Sequence, residues 1–197
     1  MLNSSHPLGP RPNRIIRDHS RLSLVVESLK TLGVRIVLAQ GSYDLVHIGH
    51  ARYLEEAKRK GDVLIVGVDE DEKIRSRKGP ERPIVPEDER LEMVLHLRSV
   101  DIAVLKRKED PRWHLVKTVR PDVLIATKET YTDEEVSALK QFCGEIVVLE
   151  RMATTSTSAK IRHLQMKTAN QLERELTPKI LQALKETLSN SRTDQYS

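Results

Sequence analysis

The chain has 197 residues and a mass of 22.5 kDa, room for one ordinary domain and some peripheral helix. Hydrophobic residues (38 %) suffice for a core, and 33 Lys and Arg against 29 Asp and Glu leave +4, too mild an excess for a dedicated nucleic-acid binder. The single cysteine, Cys143, excludes an intramolecular disulfide and argues against a cysteine-built zinc site; no apolar run reaches membrane-spanning length. The first twenty residues carry no apolar stretch of the secretory kind, so a soluble cytoplasmic protein is expected.

In chain order, Pro, Ser, Asn and Gly crowd Met1–Asn13, and residues 1–17 are expected to form a flexible tail. Leu22, Val25, Val26, Leu29 and Leu32 then recur at helical spacing, with Gly33 as the stop. Five apolar runs follow: Val34–Ala39, Val63–Val68, Ile102–Leu105, Val123–Ala126 and Ile146–Leu149. Each is continuous rather than alternating, as strands buried on both faces must be. Helical patterns fill the gaps: about His47 to Lys60, from near Pro86 through Leu91, Val94 and Leu95, and about Asp110 to Val119. A further helix opens with the capping-box pair Thr132 and Glu135 and ends at Gly144. Strand and helix alternate, so the expected fold is α/β: a parallel five-stranded sheet with helices on both faces over residues 18–165. Residues 166–197 are expected to form a C-terminal helical extension, interrupted near Thr177-Pro178. Its stripe of Leu172, Leu176, Ile180, Leu181, Leu184 and Leu188 must cover something, and a homodimer is the expected use.

The first strand runs into Gln40-Gly41-Ser42-Tyr43-Asp44-Leu45-Val46-His47-Ile48-Gly49-His50. Gly41 permits a sharp turn and a close backbone approach. His47 and His50 stand three apart at a helix start, so their rings share a face. A helix N-terminus offers unpaired N–H groups and partial positive charge, and two imidazole donors there make a phosphate clamp. Gly49 removes a side chain that would crowd the phosphates. A solvated helix face, or half a metal site, is the alternative; a third and fourth ligand are missing from the neighbourhood, so no metal ligand is assigned.

The string Gly41-Ser42-Tyr43-Asp44-x-x-His47-x-Gly49-His50 resembles the motif of the cytidylyltransferase-like nucleotidyltransferases, which include glycerol-3-phosphate cytidylyltransferase and the heptose-phosphate adenylyltransferase domain. His-Ile-Gly-His also occurs in class I aminoacyl-tRNA synthetases, but the chain is short and no Lys-Met-Ser-Lys-Ser loop is present. Three further segments match in order. Lys78 to Arg90 (Lys-Gly-Pro-Glu-Arg-Pro-Ile-Val-Pro-Glu-Asp-Glu-Arg) resembles the heptose-type loop. Arg98-Ser99-Val100-Asp101 resembles an element of the glycerol-phosphate enzyme, and Ser156-Thr157-Ser158 the stretch that opens the family's last helix.

The resemblance implies a Rossmann-like fold and nucleotidyl transfer from a nucleoside triphosphate to a phosphorylated small molecule such as a sugar or polyol phosphate, with Mg²⁺ as cofactor. His47, His50 and Lys78 are the implied catalytic groups; Gly41, Ser42, Tyr43, Asp44, Gly49, Ser156, Thr157 and Ser158 line the nucleotide. Arg90, Arg98 and Lys128 are candidate substrate contacts, although Arg90 could equally be a surface pair and Arg98 with Asp101 a structural salt bridge. The stretch Lys73–Arg82 is expected to be a mobile basic loop closing on the triphosphate. Thr127-Lys128-Glu129-Thr130-Tyr131 departs from the glycine-rich stretch of relatives, which leaves base and acceptor open. The heptose-type loop favours ATP; Arg98-Ser99-Val100-Asp101 keeps CTP in play. A non-catalytic nucleotide-binding or RNA-associated module is the rival from another class.

Overall fold

The computed structural model describes residues 11–127, 131–150, 152 and 157–193. Residues 1–154 and 155–197 form two compact units. In the first, six parallel strands make one sheet in the order β1-β4-β3-β2-β5-β6. The strands are β1 (Ile15–Ile16), β2 (Ile36–Gly41), β3 (Val63–Asp69), β4 (Ile102–Lys106), β5 (Val123–Ala126) and β6 (Glu145–Val148). The helices are α1 (His19–Thr31), α2 (Ile48–Lys58), α3 (Asp71–Lys78), α4 (Glu87–His96), α5 (His114–Val119) and α6 (Asp133–Leu139).

Alternate residues of the central strands feed two cores. Val37, Ala39, Leu64, Val66 and Ala103 pack with Leu54 and Ala57 of α2 and with Leu91, Val94 and Leu95 of α4. Ile36, Leu38, Ile65, Ile102 and Val104 pack with Leu22, Val26 and Leu29 of α1, with Val116 and Val119 of α5, and with Leu139 of α6. Burial on both faces is why the runs read as continuous.

The structure corrects the strand count from five to six. The added strand, Ile15–Ile16, lies inside the stretch read as tail and pairs with Ala103 and Val104 at the sheet edge. Two apolar residues among arginines and polar residues are too short a run to register as a period. Buried Arg14 fixes the segment by donating to the Asp101 carbonyl at 3.1 Å.

A second correction concerns the basic stretch. Residues 71–78 are helical, not loop. Only Ile74 of α3 is buried, so the helix shows no apolar stripe in sequence. Glu87 Oε2 accepts the Asp71 N–H at 2.8 Å and supplies the cap. Gly79, at φ +94, ends the helix in a conformation that suits glycine.

The second unit contains α7 (Thr157–Thr193), one continuous 37-residue helix with Pro178 in its interior. The expected break at Thr177-Pro178 is absent, and the boundary expected at residue 165 falls inside this helix. Leu172, Leu176, Ile180 and Leu181 are exposed. No helix among the described residues is long and apolar enough to cross a membrane.

Candidate active site

In a parallel sheet, ligands bind beyond the carboxyl ends of the strands where the winding reverses. Here β3 and β4 lie to one side of β2 and β5 to the other, so the reversal falls between β2 and β5. The β2–α2 connection, residues 42–47, leaves from that point, and Gln40 Nε2 donates to the Tyr131 hydroxyl at 2.8 Å across it.

The connection is tightly shaped. Tyr43 and Leu45 both have φ of 51°, left-handed for residues with a Cβ, at a cost of roughly 1–2 kcal/mol each. Burial of the Tyr43 ring offsets part of that cost, and desolvation drives its phenol well above the ordinary tyrosine range. The ring lies against Gly41, where an added Cβ would sit 3.1 Å from it. Between the two strained residues, buried Asp44 accepts the N–H groups of Ile84 and Val85, each at 3.1 Å, and pairs with Arg82 at 2.7 Å. Asp44 therefore anchors the loop after α3 to the β2–α2 connection.

His47 caps α2 and His50 lies in its first turn. The Gly49 N–H donates to His47 Nδ1 at 3.1 Å, and the His47 N–H donates to His50 Nδ1 at 3.4 Å. The rings are stacked with centroids 4.1 Å apart, and the Tyr43 ring meets His50 edge-on at 5.5 Å. This reciprocal bonding has a chemical consequence. An Nδ1 that accepts carries no proton, so each neutral ring bears its hydrogen on Nε2. The capping box thus turns both histidines into Nε2–H donors at a helix N-terminus, which attracts anions.

Lys78, the last residue of α3, donates to Ser42 Oγ at 3.2 Å. Desolvation, followed by the Arg77 and Arg82 charges, holds its ammonium below the ordinary lysine value. The other cations of the basic stretch are committed: Lys73 to the Arg107 carbonyl, Arg75 to Glu72, Arg77 to Asp69 and Arg82 to Asp44. Lys78 alone of these five has a neutral hydroxyl as its partner.

Two of the expected substrate contacts are corrected. The Arg90 side chain is 1 % exposed and faces no ligand space. It donates to the carbonyls of Val85 (2.8 Å), Ser42 (2.6 Å) and Asp69 (2.8 Å) and to Asp71 at 2.5 Å. It pins the β2, β3 and α3 segments together from below. Arg98 is exposed in the turn before β4, so it lies at the amino ends of the strands, opposite the histidines. Its motif partner Asp101 pairs with Lys58 and accepts the Leu64 N–H at 2.7 Å. Lys128 and Ser156 lie outside the described residues; Thr157 and Ser158 open α7.

Sequence reasoning passed over Asp69 and Lys106, and read Arg82 only as one cation of the basic stretch. Asp69 ends β3, is 2 % exposed, and pairs with Lys106 at 3.0 Å and with Arg77. Burial alone would raise its carboxyl, but Lys106 and Arg77 outweigh it and the net shift is downward. The available signal was positional: a carboxylate closing an apolar strand at its carboxyl end stands where ligands bind. A surface depression of about 480 Å³ lined by Lys30, Gly33, Val34, Arg35, Arg120 and Asp122 sits at the amino ends and has no part in this site.

Residues 38–180 match the family model described as cytidylyltransferase-like. The bifunctional protein HldE of Nitratiruptor sp. is 34 % identical over 150 residues, covering 76 % of this chain and 32 % of the relative. HldE of Methylobacillus flagellatus is 37 % identical over 142 residues, 71 % of this chain and 29 % of the relative. The chain thus spans about a third of the length of these relatives. Among solved structures, the lipopolysaccharide core biosynthesis protein of Thermoplasma volcanium is 30 % identical with a TM-score of 0.53, covering 61 % of this chain and all of that one. Pantoate-β-alanine ligase of Francisella tularensis, at 15 % identity, TM-score 0.53, and coverage of 73 % and 68 %, shares the fold.

Proposed function

Because the chain belongs to the cytidylyltransferase-like family of nucleotidyltransferases, we propose that it transfers an adenylyl group from ATP to a sugar phosphate, a heptose phosphate being the first acceptor to test. The observation that carries this reading is the pair of Nε2–H donors fixed at the start of α2. The heptose-type loop from Lys78 to Arg90 and the HldE relatives support ATP. The CTP alternative loses its structural footing, since Arg98 and Asp101 stand at the far end of the sheet.

An oxygen of the acceptor phosphate attacks the α-phosphorus of ATP in line. A new P–O bond forms as the bond to the β-phosphate bridging oxygen breaks, and pyrophosphate leaves. No side chain is needed as a nucleophile; positioning and charge stabilisation do the work. His47 and His50 donate to the phosphate oxygens that gain charge, and Lys78 neutralises the departing pyrophosphate. The backbone of Gly41 to Tyr43 borders the nucleotide, and Gly49 keeps the helix start open. Mg²⁺ bound to ATP would supply further charge neutralisation; Asp44 and Asp69, the nearby carboxylates, already pair with Arg82 and Lys106. A cytoplasmic setting fits ATP as donor. The exposed stripe on α7 supports a homodimer, which light scattering at rising concentration tests.

The test is pyrophosphate release with ATP, CTP, GTP and UTP against a panel of sugar and polyol phosphates. Release with ATP and a sugar 1-phosphate is expected. Binding of triphosphate without turnover of any acceptor would instead favour a non-catalytic nucleotide binder.

A further inference from the structure

One side-chain cluster outside the phosphate cradle combines metal-ligand chemistry with convergent geometry. His19 opens α1 just after β1, while Asp110 lies in the β4–α5 connection and His114 opens α5. The His19 and His114 rings are stacked, with centroids 4.5 Å apart and 15° between their planes. Asp110 Oδ2 lies 3.7 Å from His19 Nε2. One donor atom from each of the three residues falls within 4.8 Å of the other two. All three residues are half-buried, open enough for an ion to enter. We propose that His19, Asp110 and His114 bind a divalent transition-metal ion of the zinc type, and that the ion ties α1 to the β4–α5 connection.

The donor set selects the class of ion. Two imidazole nitrogens and one carboxylate oxygen suit zinc and its first-row neighbours; magnesium and calcium prefer oxygen alone. Bonds of about 2.0–2.2 Å in a tetrahedral site put ligand atoms roughly 3.3–3.5 Å apart. The cluster therefore has to contract by an ångström or so, which side-chain torsions supply. Three protein ligands leave a fourth position for water.

Neighbouring backbone already steadies one of the ligands: the Arg107 N–H donates to Asp110 Oδ2 at 2.7 Å. Outer hydrogen bonds of this kind orient metal ligands. His19 Nε2 lies 3.2 Å from the Leu105 carbonyl and gives up that contact if it is the nitrogen that binds the ion. A plain carboxylate–imidazolium pair would account for one histidine. The second ring, stacked on the first and within reach of the same carboxylate, is what an ion requires. The cluster stands above β1 and β4, whereas His47 and His50 follow β2, so this site is separate from that of the transfer reaction.

The experiment titrates chelator-treated full-length protein with Co²⁺, then with Zn²⁺. One equivalent of cobalt should give the visible absorption of a low-coordinate complex, zinc should displace it, and zinc should raise Tm. The double variant H19A/H114A should lose both responses while retaining nucleotidyl transfer with magnesium ATP. D110N, which preserves shape should the double variant fold poorly, should weaken cobalt binding by at least about tenfold. The H47A/H50A variant should keep the cobalt spectrum. Absence of saturable cobalt or zinc binding overturns the proposal. So does a spectrum that survives H19A/H114A, or one that disappears with H47A/H50A.

Discussion

At the amino ends of the strands, Asp101 accepts the Leu64 N–H at 2.7 Å, Asp122 the Ile36 N–H at 2.7 Å, and Asp62 the Arg35 N–H at 2.8 Å. At the carboxyl ends, Asp44 faces Arg82, and Asp69 faces Arg77 and Lys106. One residue type thus does two jobs. At one end it satisfies backbone donors that the first residues of a strand leave over. At the other it holds a surplus of cations in place around the start of α2. The sheet direction decides which job falls to which aspartate, and only the second leaves a surface suited to phosphate.

This contrast can be tested by removing one group at a time. The largest loss of stability belongs to Arg90, whose guanidinium bonds four residues, Ser42, Asp69, Asp71 and Val85. R90A leaves Asp71 unpaired and three carbonyls short of a donor, and should cost about 3–5 kcal/mol in urea unfolding. R90K should restore little, because one ammonium cannot span that planar fork. Next comes D101A, which strands the Leu64 N–H and takes away the charged partner of Lys58, whose ammonium keeps the Asp62 carbonyl. A loss of about 1–3 kcal/mol is expected, with kcat of the folded fraction unchanged. A fall in kcat would return the amino end to the reaction.

A smaller effect attaches to Asp69. Its carboxyl is depressed in the folded state, so it contributes stability above the unfolded value near 3.8 and loses that contribution as pH falls through the folded value. D69N should flatten the acid limb of the stability profile, measured by thermal melts below pH 4. An unchanged acid limb would mean that the ion pairs contribute nothing. The smallest stability change belongs to K78A: within about 0.5 kcal/mol, since among the described residues its hydrogen-bond partner is the Ser42 hydroxyl. Its KM for ATP should nevertheless rise. A large fall in Tm with intact kinetics would make Lys78 structural.

The sequence was legible where burial enforces a pattern. Val63–Val68 and Val123–Ala126 are continuous because both faces are covered, and the capping box at Thr132 and Glu135 forms as read. It was silent where burial is slight: β1 has two residues, and α3 buries Ile74 alone. The site shows the same division. His47 and His50 are legible from spacing, but the bonds that orient them depend on backbone at the helix start. Arg90 and Lys78 look alike as letters, both basic and both in the heptose-type segment. One is sealed beneath Ser42 and the other touches its hydroxyl, a difference set by folding around Asp71 and Gly79. Arg98 misled because the motif, taken alone, leaves out its place in the chain: a residue just before the Ile102–Leu105 run sits at a strand's amino end, away from the ligand side.

In the proposed reaction the two histidines act on phosphate charge during transfer rather than in holding the fold. Single-turnover adenylyl transfer by H50A, measured beside its melting curve, separates the two roles. A loss on the order of 10²–10³ in rate is expected, with a melting temperature within a few degrees of wild type. Near wild-type turnover, or a collapse of the fold that accounts for the lost rate, would contradict it.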